Sequence, residues 1–438
     1  MDEIDLSIPQ IKNIVIKRDF LMFFYKLKEK ILISQSEHKE LNRISEDEAI
    51  KNLEIIYALI HENPLKSRRS FSITDSSLLF LKQEDIHLLQ KPKKINYALP
   101  VWLIDKIKTK KVSSLNTEYP NWQDVLTYKT PIRWKINIVG LGDVGGNLLV
   151  GLRLLGGNIV KSIGIYDRNI SILKRWELEA NQIFKAFTTQ RFPEVHILEE
   201  EEIFDCDLFI FCATVGVPPL GEEQEDVRMK QFKGNSEIIS DYVLKARKRL
   251  FKGIFAVISD PVDILCKSAF LASNKDESDE FDFKGLAAEQ IRGYGLGVMN
   301  ARAVFYSKQN PETFKYEREG RVFGPHGRGL VIANSIKKYN ERLSEILTNQ
   351  VIKANLEIRK IGFKPYIAPA LSSAALPIIA TLKGEWHYSA TFLGGVFMGA
   401  KNRLNESGIE IERLDLPLNL FERIRASYRE LDSFLLKL

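Results

Sequence analysis

Between residues 133 and 264 apolar residues fall in short unbroken runs separated by amphipathic stretches, and the two spacings predict strands alternating with helices. Runs at 135–139, 163–166, 195–198, 208–213 and 253–259 read as strands, and the stretches at about 170–186 and 235–249 read as helices. Strands so uniformly apolar are buried on both faces, so the pattern predicts an α/β fold with a parallel sheet between two helical layers. Beyond about 265 the rhythm changes. Helical stretches at 286–308, 328–360, 371–382 and 417–437 surround strand-like segments at 388–396 and 409–414, which predicts an α+β unit. Residues 1–132 read as a separate, small mixed domain. There Ser45 and Glu48 form an S-x-x-E capping box, Ile50, Leu53, Ile56, Tyr57 and Ile60 continue as an apolar stripe, and Asn63-Pro64 ends it, so a helix is expected. A second helix is expected over 79–89, while KPKK, SSLNTEYPNW and KTPIRW read as loop and linker. The expected division is therefore 1–132, 133–264 and 265–438.

Composition excludes several classes of protein. The 438 residues, 45% hydrophobic and 27% charged, are enough for two or three folded domains and give no case for disorder. No window approaches the 18 or so uncharged apolar residues of a membrane span, and the acidic start MDEIDLSIPQ lacks the basic and apolar regions of a secretory signal. Cys206, Cys212 and Cys266 have no metal-ligand spacing, so no metal site is expected and buried thiols in a reducing cytoplasm are. The net charge of +6 is concentrated in residues 1–135, which hold 23 Lys plus Arg against 18 Asp plus Glu. That excess is mild and carries no aromatic-interleaved basic motif, so neither a nucleic-acid nor a membrane partner is expected.

One stretch does carry chemistry. In WKINIVGLGDVGGNLLVGLRLLGGNIVKSIGIYDRN, Gly140, Gly142 and Gly145 form G-x-G-x-x-G where a strand must turn into a helix. Glycines there let the backbone approach a pyrophosphate, and the helix N-terminus favours the anion. Asp167 ends the next strand, 22 residues past Gly145, where a carboxylate accepts both ribose hydroxyls of an adenosine and repels a 2′-phosphate. The unit is a Rossmann-type βαβ fingerprint that expects NAD rather than NADP.

The later motifs are bland singly. The fourth strand leads into ATVGVPPLGEEQEDVRMKQFKGN, with Arg228 seven residues before Asn235; SDPVD (259–263) ends the fifth strand; GYGLGVMNARAVFY carries Arg302; and GPHGR presents His326. In this order, after this fingerprint, they resemble the lactate/malate dehydrogenase family over about 133–438. GLGDVGG resembles its glycine turn, SDPVD its N-P-V-[DN] strand end, VMNAR its L-D-x-A-R helix and GPHGR its G-x-H-G-D loop. The C-terminal ATFLGGVFMGAKNRLNESGIEIERLDLPLNLFERIRASYRELDSFL is similar to its closing strands, turn and last helix.

The resemblance implies a doubly wound NAD-binding domain, an α+β catalytic domain, and a homodimer or tetramer acting on a small 2-oxo or 2-hydroxy acid. It implies that Arg302 grips the substrate carboxylate, that Arg228 arrives with a lid to polarise the carbonyl, and that His326 exchanges the proton. Gly140, Gly142, Asp143, Val144, Gly145, Asp167, Thr214 and Gly216 would line the dinucleotide, and Asp260 would face the substrate. Three departures qualify this. Met299 stands where the family has the aspartate that orients the histidine, Asp260 where it has an asparagine, and Arg328 where it has an aspartate after H-G. The lid is also acidic, with Glu222, Glu223, Glu225 and Asp226, which opposes a second substrate carboxylate and disfavours malate. The competing expectation is a catalytically impaired relative that binds NAD and acts on a partner through residues 1–132.

Overall fold

The computed structural model describes residues 21–92, 99–215 and 226–434, the side chains of 226–230 excepted. The N-terminal segment builds a five-stranded sheet from β1 (Phe23–Leu27), β2 (Lys30–Ser34), β3 (Asn42–Arg43), β4 (Ile56–Ile60) and β5 (Val112–Asn116), in the order β3-β1-β2-β4-β5. Helices α1 (Glu46–Ile50), α2 (Val101–Lys108) and the single turn α3 (Asp124–Thr127) accompany it.

Here the structure corrects the sequence reading. The Ser45 cap forms, accepting from the Glu48 amide at 3.3 Å, but α1 is only five residues long. Asn52 then accepts from the Glu54 amide and turns the chain, and Ile56–Ile60 becomes a strand hydrogen-bonded in parallel to β2 and β5. Its β-branched and aromatic residues suit a strand buried between neighbours, and that tertiary pairing overrides the helical spacing. The expected helix over 79–89 is two short 3₁₀ turns, Ser76–Phe80 and Ile86–Leu89, and the SSLN of the expected linker lies in β5.

A nine-stranded sheet organises the rest. Its strands are β6 (Trp134–Val139), β7 (Val160–Tyr166), β8 (Glu194–Ile197), β9 (Leu208–Phe211), β10 (Ile254–Val257), β11 (Ile291–Gly293), and, after the small hairpin β12 (Arg321–Phe323) and β13 (Val331–Ala333), β14 (His387–Leu393), β15 (Val396–Asn405) and β16 (Gly408–Ile411). The order is β16-β15-β14-β11-β10-β9-β6-β7-β8. The six strands β6 to β11 pair in parallel and β14 to β16 antiparallel. The connection reverses direction at β6, whose neighbours are β7 and β9, and ligands of open parallel sheets bind at such a switch point. Helices α4 (Asp143–Gly156), α5 (Ile170–Asn181), α6 (Asp226–Lys248) and α7 (Val262–Ser273) follow the first strands, and α8 (Leu296–Ser307), the turn α9 (Tyr316–Glu319), α10 (Glu341–Lys360), α11 (Leu376–Leu382) and α12 (Leu418–Phe434) complete the C-terminal layer. The expected helix over 286–308 is thus interrupted by β11, and that over 328–360 by β13.

The N-terminal sheet does not stand apart. Phe24, Ile31, Ile86 and Leu88 share one hydrophobic cluster with Phe323, Leu393, Met398 and Phe421. The Ser72 amide donates to the Ile409 carbonyl at 3.1 Å and so pairs with the outermost strand β16, while Arg69 and Glu289 form a buried ion pair at 3.0 Å. Among the described residues no helix is long and apolar enough to cross a membrane, and no cluster of side chains has the makings of a metal site.

Candidate active site

The glycine turn sits where β6 passes into α4. Gly140 has φ +90° and lies so close to the chain after β9 that a Cβ would come 2.6 Å from the Ala213 nitrogen. A Cβ on Gly145 would stand 2.0 Å from the Gly140 carbonyl oxygen. Gly142, by contrast, faces open space, the side from which a pyrophosphate would approach the first turn of α4. Asp143 is exposed and Val144 half-buried beside it.

Asp167 ends β7 next to this turn. Its Oδ2 accepts the Leu141 amide at 2.8 Å and its Oδ1 accepts the Asn169 amide at 3.0 Å. Each carboxylate oxygen keeps a further lone pair, so the backbone orients the group while leaving acceptor capacity for ribose hydroxyls. Trp176, which sequence reasoning did not single out, donates its indole N–H to the Leu141 carbonyl at 3.3 Å and packs against Gly146, bracing the turn from behind. Thr214 follows β9 on the same side of the sheet; Gly216 and the acidic lid residues 222–225 lie outside the described residues, as do the side chains of Asp226 and Arg228.

The matched domain settles what this turn belongs to. Residues 134–281 match the family model described as lactate/malate dehydrogenase, NAD binding domain. Over those residues the chain is similar to the NAD-binding domain of lactate and malate dehydrogenases. It is 25% identical over 311 residues to L-lactate dehydrogenase 1 of Enterococcus faecalis, covering 65% of this chain and 87% of that protein. With the L-lactate dehydrogenase of Streptococcus uberis it is 26% identical over 288 residues, covering 66% and 78%. Solved structures share the fold at lower identity. A lactate dehydrogenase from a deep-sea metagenome library superposes with a TM-score of 0.57 and 20% identity, over 69% of this chain and 98% of that one. Malate dehydrogenase of Archaeoglobus fulgidus, solved in complex with NADH, gives 0.54 and 18%, over 69% and 99%. The matched domain is one that binds NAD, and the glycine turn with Asp167 fits that dinucleotide.

In the C-terminal half, the loop between β12 and β13 carries His326 onto the N-terminus of α8. A Cβ on Gly295, the residue capping that helix, would lie 3.0 Å from the His326 Cβ. The imidazole has two carboxylates near it. Its Nδ1 is 3.3 Å from Asp260 Oδ1, and its backbone N–H donates to Asp263 Oδ2 at 3.3 Å. Nε2 is enclosed and has no hydrogen-bond partner among the described residues. Burial pushes the Asp263 carboxyl up to about 7, against the opposing pull of the His326 backbone bond and ring. Asn235, fully buried, ties the site together by accepting the Val215 amide at 2.9 Å and donating to the Asp260 carbonyl at 2.7 Å.

Arg302 lies two turns along α8 from Gly295, about 10 Å in axial distance. It is half-buried, and desolvation holds its guanidinium below the usual arginine range. Met299 Sδ stands 3.8 Å from Arg302 Nη1 and Asn355 Oδ1 accepts from Nη2, so the methionine packs on the arginine. Arg328 turns away to Glu430 at 2.8 Å. The structure thus brings His326, Asp260 and Asp263 together at the head of the helix that carries Arg302. Asn355 escaped the sequence reading because its spacing marks no chemistry, and Asp263 entered it only as the last residue of SDPVD, with no role at the histidine. A cavity of about 820 Å³, lined by Lys30, Arg69, Tyr128, Phe251 and Glu289 among others, lies between the N-terminal sheet and the amino end of β10, opposite the glycine turn.

Proposed function

We propose that the chain is an NAD-dependent 2-hydroxyacid dehydrogenase, interconverting a 2-oxo acid other than oxaloacetate with its 2-hydroxy acid. Bound NAD supplies or accepts the hydride. His326 would hand a proton to the substrate oxygen on reduction and recover it in reverse, a service worth about 10²–10⁴ in rate. Arg302 would take the substrate carboxylate in a bidentate grip and fix the reacting carbon, and Arg228 would polarise the carbonyl. The acidic lid sequence supports exclusion of a dicarboxylate by like-charge repulsion.

The observation that carries this reading is the enclosed, unpartnered His326 Nε2 at the head of the Arg302 helix. A buried polar atom without a partner costs about 1–3 kcal/mol, which a substrate oxygen would relieve. The test is NADH oxidation followed by absorbance across a panel of 2-oxo acids. Turnover of at least one is expected, abolished in His326→Ala with NADH affinity unchanged; equal loss of both in that variant refutes the role of His326. NADH binding with no turnover across the panel would favour the impaired relative instead. Assembly as a homodimer or tetramer in the cytoplasm belongs to the same proposal, and the exposed Leu356, Ile361, Phe363 and Ile367 offer apolar surface for it. Light scattering of the purified chain would show the assembly state.

A further inference from the structure

We infer that Asp260 is the positioning carboxylate of His326, taking over from residue 299 the task of orienting the imidazole; the inference deepens the dehydrogenase reading and rests on it. Two departures from the family pattern, Met299 and Asp260, weigh against activity when taken separately, and Asp260 lies beside the histidine. Methionine at 299 stands where the resemblance expects the orienting carboxylate, and aspartate at 260 supplies one 3.3 Å from Nδ1.

The donor logic follows from the groups. An ionised carboxylate can only accept, so an imidazole bonded to Asp260 carries its proton on Nδ1. Nε2 is then the nitrogen left to exchange a proton with substrate, and it is the enclosed atom with no partner. Among the described residues the neighbouring groups leave no rival for the task. Met299, 3% exposed, is spent on Arg302. Asp263 engages the His326 main chain rather than its ring, and its burial disfavours the charged form. Arg328 is turned to Glu430. Asp260 itself is held by its carbonyl, which accepts from the buried Asn235 amide, so the carboxylate projects from a fixed backbone.

Asp260 has a side chain 52% exposed, so solvent screens the pair and the effect is set toward the lower end of general acid–base contributions. Two measurements test it, one of them independent of turnover. In protein labelled with ¹⁵N-histidine, the His326 signal, assigned by its loss in His326→Gln, is expected to report the Nδ1–H tautomer, and Asp260→Ala to move it toward Nε2–H. With whichever 2-oxo acid the panel identifies, Asp260→Asn is expected to lower kcat about 10²-fold with NADH affinity kept within threefold. Adding Met299→Asp to Asp260→Asn rebuilds the family layout and is expected to recover roughly tenfold or more of that loss. A tautomer unchanged in Asp260→Ala, kcat within threefold of wild type in Asp260→Asn, or no recovery in the double variant would each overturn the inference. Should no 2-oxo acid be turned over, the dehydrogenase reading fails, while the tautomer measurement still decides whether Asp260 governs the ring.

Discussion

Asp263→Asn tests the electrostatics beneath the histidine. Asp263 is 5% exposed and burial raises its carboxyl from an ordinary 3.8 to about 7. A shift near three units corresponds to about 4 kcal/mol at 1.36 kcal/mol per unit. The native state prefers the neutral acid, so this group's contribution to stability is fully present below the unfolded-state value and is lost as pH rises through about 7. Asparagine has the same shape, can still accept the His326 amide through Oδ1, and does not titrate. The variant is therefore expected to match wild type near pH 4 and to exceed it by roughly 3–4 kcal/mol at pH 8, the gap opening at about 1.4 kcal/mol per pH unit in between. Urea unfolding at pH 4.5, 6 and 8, with midpoints and slopes fitted together, measures that gap. A difference that stays constant with pH, or closes as pH rises, would show that Asp263 is ionised in the native state and refute the argument.

His387 should give the opposite slope: buried, bonded to Thr381 and Ser389 and repelled by Arg292, it is held down to about 3, so stability is kept above 6.5 and lost at about 1.4 kcal/mol per pH unit as pH falls toward 3, a trend that His387→Gln should flatten in acid unfolding curves. Gly142→Ala and Gly145→Ala separate cofactor approach from folding. The first faces open space at φ −67° and should leave the melting temperature within about 2 °C while weakening NADH binding tenfold or more; the second collides with the Gly140 carbonyl and should lower both, so a Gly142→Ala protein that binds NADH normally would count against a pyrophosphate at that turn.

The parts of the site that could be read from the chain are the local ones. Gly140, Gly142, Gly145 and Asp167 belong to one strand-turn-helix-strand unit, and their placement follows from spacing because each lies within a few residues of the backbone it shapes. The strands 135–139 and 208–213 were equally legible, since unbroken apolar runs admit few alternatives. By contrast, residues 50–60 satisfy both a helical stripe and a buried strand, and the choice was made by β2 and β5, which no local window contains. The Asp260–His326 contact joins positions 66 residues apart, a separation that no local window spans.

The pairing of Ser72 with the margin of the large sheet has a bearing on how the chain comes into being. The first third leaves the ribosome before the surface it must sit on exists, because Phe323, Met398 and Phe421 complete its interior. Until synthesis reaches the closing strands, those apolar side chains have only one another for cover, and a gene trimmed of this first third would leave a strand edge open to its neighbours in solution. Excision of the leading segment should therefore yield aggregates, seen by light scattering, rather than a smaller folded protein.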